Sequence, residues 1–159
     1  MTATNKGIDP RGPRFGAGIT GILLLVVIGL WLSGLVLAAT IVFAYIVLVF
    51  AWGAIAGVQR HPYGFLYKKL VRPRLAPPTE LEDPTPPTFA QGVGLFITLV
   101  GLGLSLIPGL GLALPIAAGL AFVAAFLNSV FAYCLGCQIH LLLVRAGILG
   151  RNRSTPAAA

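Results

Sequence analysis

Charge is what this chain has least of. Only 9% of its 159 residues are Asp, Glu, Lys or Arg, and just four are acids. A soluble domain carries roughly 25%. A chain this short has a large surface to cover relative to its volume. The missing charge must therefore face something other than water, and lipid is the natural candidate. Cysteine is scarce as well: Cys134 and Cys137 form one C-x-x-C. A disulfide framework needs more cysteines, spaced apart. His61 and His140 are the only histidines, so a metal site would be short of donors, and neither a metal nor a cofactor is expected. At this length one domain is the default.

What is present is apolar, 57% of the chain, in four runs without Asp, Glu, Lys or Arg. Unbroken runs near 20 residues long read as membrane-crossing helices rather than strands. The helices are expected at about 16–33, 35–58, 89–107 and 113–144. The fold class is thus all-α membrane: four transmembrane helices as two hairpins, with a short amphipathic interfacial segment between them. A polar segment 1–15, a loop 59–88 and a tail 145–159 complete the chain. The apolar run after Arg14 exceeds the roughly 7–15 residues of a signal-peptide core, so no cleavable leader is expected.

Net charge is +7, and the basic residues cluster at three places. Lys6, Arg11 and Arg14 precede the first helix. Arg60, Lys68, Lys69, Arg72 and Arg74 follow the second. Arg145, Arg151 and Arg153 follow the fourth. In a four-helix topology all lie on one side, which the positive-inside rule makes cytoplasmic. The expected location is the cell membrane, multi-pass, with both termini cytoplasmic. This clustering argues against a nucleic-acid partner.

An internal echo supports two hairpins. Asp9-Pro10-x-x-Pro13-x-Phe15-x-x-Gly18 matches Asp83-Pro84-x-x-Pro87-x-Phe89-x-x-Gly92. A second echo sets Phe50-Ala51-Trp52 against Phe131-Ala132-Tyr133; by that alignment Gly53 and Ala56 correspond to Cys134 and Cys137. Asp9 and Asp83 read as helix-start residues. In the loop, Tyr63, Leu66, Tyr67 and Leu70 share one helical face, flanked by Lys68, Lys69 and Arg72. An aromatic and basic amphipathic turn of this kind suits the surface of an anionic bilayer. Glu80, Glu82 and Asp83 could pair with nearby arginines. Small residues four apart, at Gly53 and Gly57, Gly101 and Ser105, and Ala117, Ala121 and Ala125, read as close-packing seams. They fit a bundle or a homodimer and do not set the oligomeric state.

The chemistry, if any, lies in the fourth run. On a continuous helix Cys134, Cys137 and His140 form one stripe, with Gln138 four residues after Cys134 and Asn128 nearby. Counted back from Arg145 at 1.5 Å per residue, the thiols would lie roughly 12–16 Å into the bilayer. Three readings are open: buried structural cysteines, a thiol-redox or sulfur-transfer pair, and a metal site. Three ligands on one helix rarely enclose an ion. A disulfide between Cys134 and Cys137 is geometrically doubtful in mid-helix, although Gly136 could loosen the helix there. No β-α-β pattern surrounds the C-x-x-C, which excludes a thioredoxin fold. Asn128, Gln91, Gln138 and His140 are the only polar candidates among the apolar runs for acid–base work, so an enzyme is not expected.

Several blocks resemble the DUF4395 proteins, a bacterial membrane family of unknown function. They are Arg11 to Phe15, Pro62-Tyr63-Gly64, Val71-Arg72-Pro73-Arg74, Leu81-Glu82-Asp83 with Pro86-Pro87, Phe89-Ala90-Gln91, and Cys134-Leu135-Gly136-Cys137. The resemblance implies a multi-pass membrane protein and names no activity. It also implies a link to sulfur, because genes of the family often lie near thioredoxin-like and sulfurtransferase genes. A cytoplasmic protein of either kind is the expected partner besides the lipid bilayer. The family often has an acidic residue and a Tyr where this chain has Gln138 and His140, which weighs against a mechanism needing a carboxylate there. The functions left standing are thiol redox or sulfur handling through Cys134 and Cys137, a small transporter subunit, and a non-catalytic scaffold.

Overall fold

The computed structural model describes residues 7–149. Lys6, Arg151 and Arg153 lie outside them, as does most of the expected tail. Six α-helices are present among the described residues: α1 (Arg11–Leu32), α2 (Val36–Ala56), α3 (Pro62–Leu66), α4 (Thr85–Ser105), α5 (Ala113–Phe131) and α6 (Leu135–Arg145). Helices α1, α2, α4 and α5 are long and apolar enough to cross a membrane. Their outward faces carry Ile22, Ile41, Leu48, Ile55, Phe96, Ile116 and Leu120, all exposed. A water-facing bundle would place polar residues there.

Helices α1 and α4 begin earlier than the apolar runs. Asp9 accepts the backbone N–H of Arg11, and Asp83 accepts that of Thr85. These bonds serve otherwise orphaned donors. The prolines that follow sit in the first turn, where no helical bond is lost. Helix α2 ends at Gly57, whose φ of +80° lies in the left-handed half of backbone space. Only glycine enters that region without a Cβ penalty.

The fourth apolar run departs from expectation. It is two helices, not one from 113 to 144. Helix α5 stops at Phe131, Ala132 takes a left-handed conformation with φ of +58°, and α6 starts at Leu135. No proline or glycine marks this break, so composition predicts a continuous helix. Local chemistry at Cys134 and packing of α6 on α4 override that propensity.

The chain then reads as two copies of one unit: long helix, long helix, break at a residue of positive φ, short capped helix. Contacts repeat with roles exchanged. Helix α1 packs chiefly on α5, and α2 on α4; α3 lies on α1, and α6 on α4. Ile8 and Glu82, equivalent residues in the Asp-Pro echo, exchange both backbone hydrogen bonds at 2.8 and 2.9 Å in an antiparallel bridge. Equivalent residues pair mutually only across a local twofold axis. The core between the halves holds Leu24 and Val27 of α1, Phe43 and Ile46 of α2, and Leu114 and Ala118 of α5, all essentially inaccessible. The alanine stripe is a seam within the bundle: Gly101 of α4 lies against Ala117, and Gly21 of α1 faces Ala125. Gly57 is no seam residue; it ends α2.

The loop segment is helical, as its spacing predicts, but its aromatic face points inward. Tyr63 and Tyr67 are buried. Tyr63 packs on Gly16 of α1, and Tyr67 on Gly12 and Phe15. Phe65, Leu66, Lys68, Lys69, Leu70 and Arg72 form the exposed side. The tyrosines therefore anchor α3 to the bundle rather than to a bilayer surface. The reason is the glycine pair on α1, which leaves grooves for two rings.

Candidate functional site

The cysteines stand where the chain restarts a helix. Cys134 has extended backbone (φ −87°, ψ 100°) and is the N-cap of α6. Its Sγ accepts the backbone N–H of Cys137 at 3.3 Å. Cys134 and Cys137 are bonded as a disulfide with Cα atoms 5.2 Å apart. That spacing falls within the disulfide range. The expected obstacle, a mid-helix location, disappears because Cys134 is outside the helix. Both cysteines are half-buried.

Their depth also changes. Gly136 lies against Ala90, so closely that a Cβ on Gly136 would collide with it. His140 packs on Phe89 with ring centroids 5.3 Å apart. Phe89 and Ala90 belong to the second turn of α4. The pair thus sits near the end of the bundle that carries the basic clusters, not in its middle. Gly136 and His140, four residues apart on α6, meet Ala90 and Phe89, neighbours on α4; α6 thus crosses α4, and a straight count back from Arg145 gives too great a depth.

The supporting residues are only partly gathered. His140, half-buried, lies three residues beyond Cys137, and its Nδ1 is buried without a partner. Gln138 is exposed, while Asn128 lies half-buried in the last turn of α5. Among the described residues no three of His, Cys, Asp and Glu gather as a metal ion would need. Among the described residues Glu80, Glu82 and Asp83 form no ion pair; the one that forms there joins Arg11 to Asp9 at 3.1 Å.

The first half shows what occupies the matching place. His61 caps α3 as Cys134 caps α6, with Nδ1 accepting the N–H of Tyr63 at 3.2 Å. Phe15 against Tyr67 matches Phe89 against His140. The Tyr67 hydroxyl donates to Asp9 at 3.0 Å. Gly16 against Tyr63 matches Ala90 against Gly136. By these contacts the counterparts of Cys134 and Cys137 are His61 and Gly64, not Gly53 and Ala56. The Phe-Ala-aromatic echo misleads because Phe50 lies inside α2 against Gly94, whereas Phe131 ends α5. Gly53 instead admits Gln91 and His61, which crowd its missing Cβ.

Protonation follows these contacts. Burial holds the His61 imidazole below its usual range. For Asp9, burial alone would raise the carboxyl. The hydrogen bonds from Arg11 and Tyr67, with the Arg11 charge, outweigh it and hold Asp9 below the usual range. Tyr67 is raised by burial and by its bond to Asp9. Hydrogen bonds from the Thr85 backbone and hydroxyl lower Asp83.

Beside α6 a groove of about 1210 Å³ opens between α2, α4 and α6, with His140, Phe89 and Gly92 in its wall. Sequence reasoning missed it, along with the left-handed Ala132 and the capping roles of His61 and Cys134. The groove depends on which helices meet, and no local pattern encodes that.

A family profile described as "Domain of unknown function (DUF4395)" matches residues 8–145. No curated protein and no solved structure matches the chain.

Proposed function

The chain belongs to the DUF4395 family, and from that footing we propose that it is a membrane protein whose Cys134–Cys137 disulfide oxidises the dithiol of a cytoplasmic partner. The observation that carries this reading is the cap. The Cys137 N–H that reaches Cys134 Sγ would hold a Cys134 thiolate still better. The positive end of the α6 dipole acts in the same direction. Thiols at helix N-termini have depressed pKa values. A stabilised thiolate is a good leaving group and makes its disulfide oxidising.

The exchange runs in two steps. A partner thiolate attacks Sγ of Cys137, the S–S bond breaks, and Cys134 leaves as thiolate. The second partner thiolate then attacks the partner's own sulfur in the mixed disulfide. This forms the partner's disulfide and frees Cys137; protons taken up from water complete two thiols. The basic face fits a cytoplasmic orientation by the positive-inside rule. Exposed Lys68, Lys69, Arg72 and Arg74 beside Phe65 form the surface a partner or an anionic leaflet would meet. The family resemblance favours a thioredoxin-like or sulfurtransferase protein as that partner.

The test is alkylation of the reduced, full-length protein in vesicles across a pH series, read by mass spectrometry. Cys134 should react with a midpoint clearly below the ordinary thiol value of about 8.5. Two inert cysteines, or two ordinary midpoints, would overturn the reading.

A further inference from the structure

The groove beside α6 is the gap left where α2 and α6 both pack on α4 but hardly on each other. It changes character along its length. Toward the middle of the bundle it is apolar, with Ala54 of α2 facing Gly92, Val93 and Phe96 of α4. Phe96 is 70% exposed, so this end opens to lipid. The other end is polar and holds Gln59, Arg60, Asp83 and Thr85. The Val58 N–H donates to the Thr88 hydroxyl at 3.3 Å. That bond ties the end of α2 to the start of α4 and puts Arg60 and Asp83 at one mouth. From Thr85 to Phe96 helix α4 rises about 16 Å, close to half of a hydrocarbon core of about 30 Å. The groove is thus about one leaflet deep.

The charges at the mouth are unmatched within the protein. Arg60 is exposed and pairs with no acid among the described residues. Its carbonyl accepts from the Trp52 indole at 3.0 Å, which fixes its backbone at the rim. Next to it the Gln59 carbonyl accepts from Lys68 Nζ at 3.5 Å, bringing a second cation to that rim. Asp83 is best understood beside Asp9, its equivalent in the first half. Asp9 holds the Arg11 guanidinium on Oδ1 and the Tyr67 hydroxyl on Oδ2. Thr85 stands where Arg11 does, and His140 where Tyr67 does. Thr85 bonds Asp83 Oδ1 through its N–H and its hydroxyl, which favours the ionised carboxyl but brings no positive charge. His140 gives Oδ2 no hydrogen bond; it lends the groove ring surface, and its Nδ1 is buried. One half of the molecule therefore shows a cation on this carboxylate, and the other lacks it.

An occupant must come from the lipid, extend one leaflet deep, and carry an anion for Arg60 and a cation for Asp83. A fatty acid or a phosphatidylglycerol answers Arg60 and sets nothing against Asp83. A phosphatidylcholine brings a cation with no hydrogen to donate. We infer that the groove binds one phosphatidylethanolamine molecule. Its phosphate meets Arg60, with Lys68 close by. Its primary ammonium, with three donors, bonds the Asp83 oxygen whose equivalent on Asp9 accepts from Tyr67. An acyl chain lies along Ala54, Val93 and Phe96 and closes the gap between α2 and α6. This site is independent of the disulfide chemistry.

The test uses the full chain, delipidated in detergent, and phospholipids with identical acyl chains, counted on the protein by native mass spectrometry. One phosphatidylethanolamine should bind about tenfold more tightly than phosphatidylcholine or phosphatidylglycerol, the scale of one hydrogen bond to a charged group. The N-methyl and N,N-dimethyl lipids keep the charge and lose donors one at a time; their affinities should fall in between. Asp83→Asn keeps an acceptor for Thr85 and should erase the preference for phosphatidylethanolamine over phosphatidylcholine. Arg60→Gln should weaken both alike. Gly92 has open space where a Cβ would stand, so Gly92→Phe fills the groove without displacing protein and should abolish the saturable site. Cys134→Ser/Cys137→Ser should bind as the parent does, which separates this site from the redox reading. Equal affinities across the headgroup series in the parent protein would overturn the proposal without any variant. So would tighter binding of phosphatidylglycerol, or a headgroup preference that survives Asp83→Asn or Gly92→Phe.

Discussion

At the end of α2 the chain turns through Gly57, and at the end of α5 it turns through Ala132; both have positive φ. After the first turn His61 caps a helix, after the second Cys134 does. One half is thus built from residues suited to their backbone, with the buried hydroxyl of Tyr67 paired to Asp9. The other accepts a left-handed alanine and leaves His140 Nδ1 unpaired. Such departures from local preference concentrate where a fold serves chemistry. Both departures fall in the half that carries the cysteines.

The sharpest way to break the comparison is to move the chemistry. Cys137→Ser should abolish dithiol exchange altogether, measured with a fluorescent dithiol peptide, while Gly64→Ala at the matching place should leave it intact. The reverse experiment adds His61→Cys and Gly64→Cys to a chain lacking its own pair. If α3 and α6 start alike, mild oxidant should close a new disulfide, seen as the loss of two hydrogens by mass. A dithiol that stays open would show that the two caps are not equivalent.

Packing comes next in size. Gly53→Leu drives a side chain into Gln91 and His61. Overpacking of this kind costs about 1–3 kcal/mol, which a denaturation midpoint in detergent would register. Gly119→Leu, where a Cβ meets open space, is the control and should change little.

The two breaks differ by a smaller amount. Ala132→Gly should stabilise the fold by up to about 1 kcal/mol, since a left-handed Cβ costs roughly 1–2 kcal/mol. Gly57→Ala should destabilise it by more, because Gly57 (φ 80°, ψ 157°) lies in a region open essentially only to glycine. A destabilising Ala132→Gly would refute the claim that Ala132 is strained.

The smallest effect is on pH. The folded-state pKa of His61 lies below its usual value of 6.5. The unfolded chain therefore takes up a proton first as pH falls. Stability present above about pH 6.5 is lost as pH drops toward the folded pKa. His61→Asn keeps a capping acceptor and should flatten that part of the pH profile. Asp9, also depressed, adds a further loss at lower pH in both proteins.

Most of the fold was legible because lipid simplifies the code. Four charge-free runs and one-sided arginines need no tertiary information to interpret. The Asp-Pro echo also survives, since Asp9 and Asp83 serve the same N–H groups at the starts of α1 and α4. The break at 132–134 was not legible. Phe131, Ala132, Tyr133 and Leu135 all tolerate helix, and what rewards leaving it is the Cys134 cap and the fit of Gly136 and His140 on α4. The inward turn of Tyr63 and Tyr67 was hidden for a similar reason: amphipathic spacing gives a face but not what that face meets.

The bridge between Ile8 and Glu82 has a consequence for how such a chain can be made. Residues that pair with their own equivalents describe the contact two separate subunits would make about a shared axis. The mostly exposed stretch 75–80 then acts as a tether between the halves. Two polypeptides cut near Ala76 and Pro77 should find each other in one membrane and rebuild the bundle.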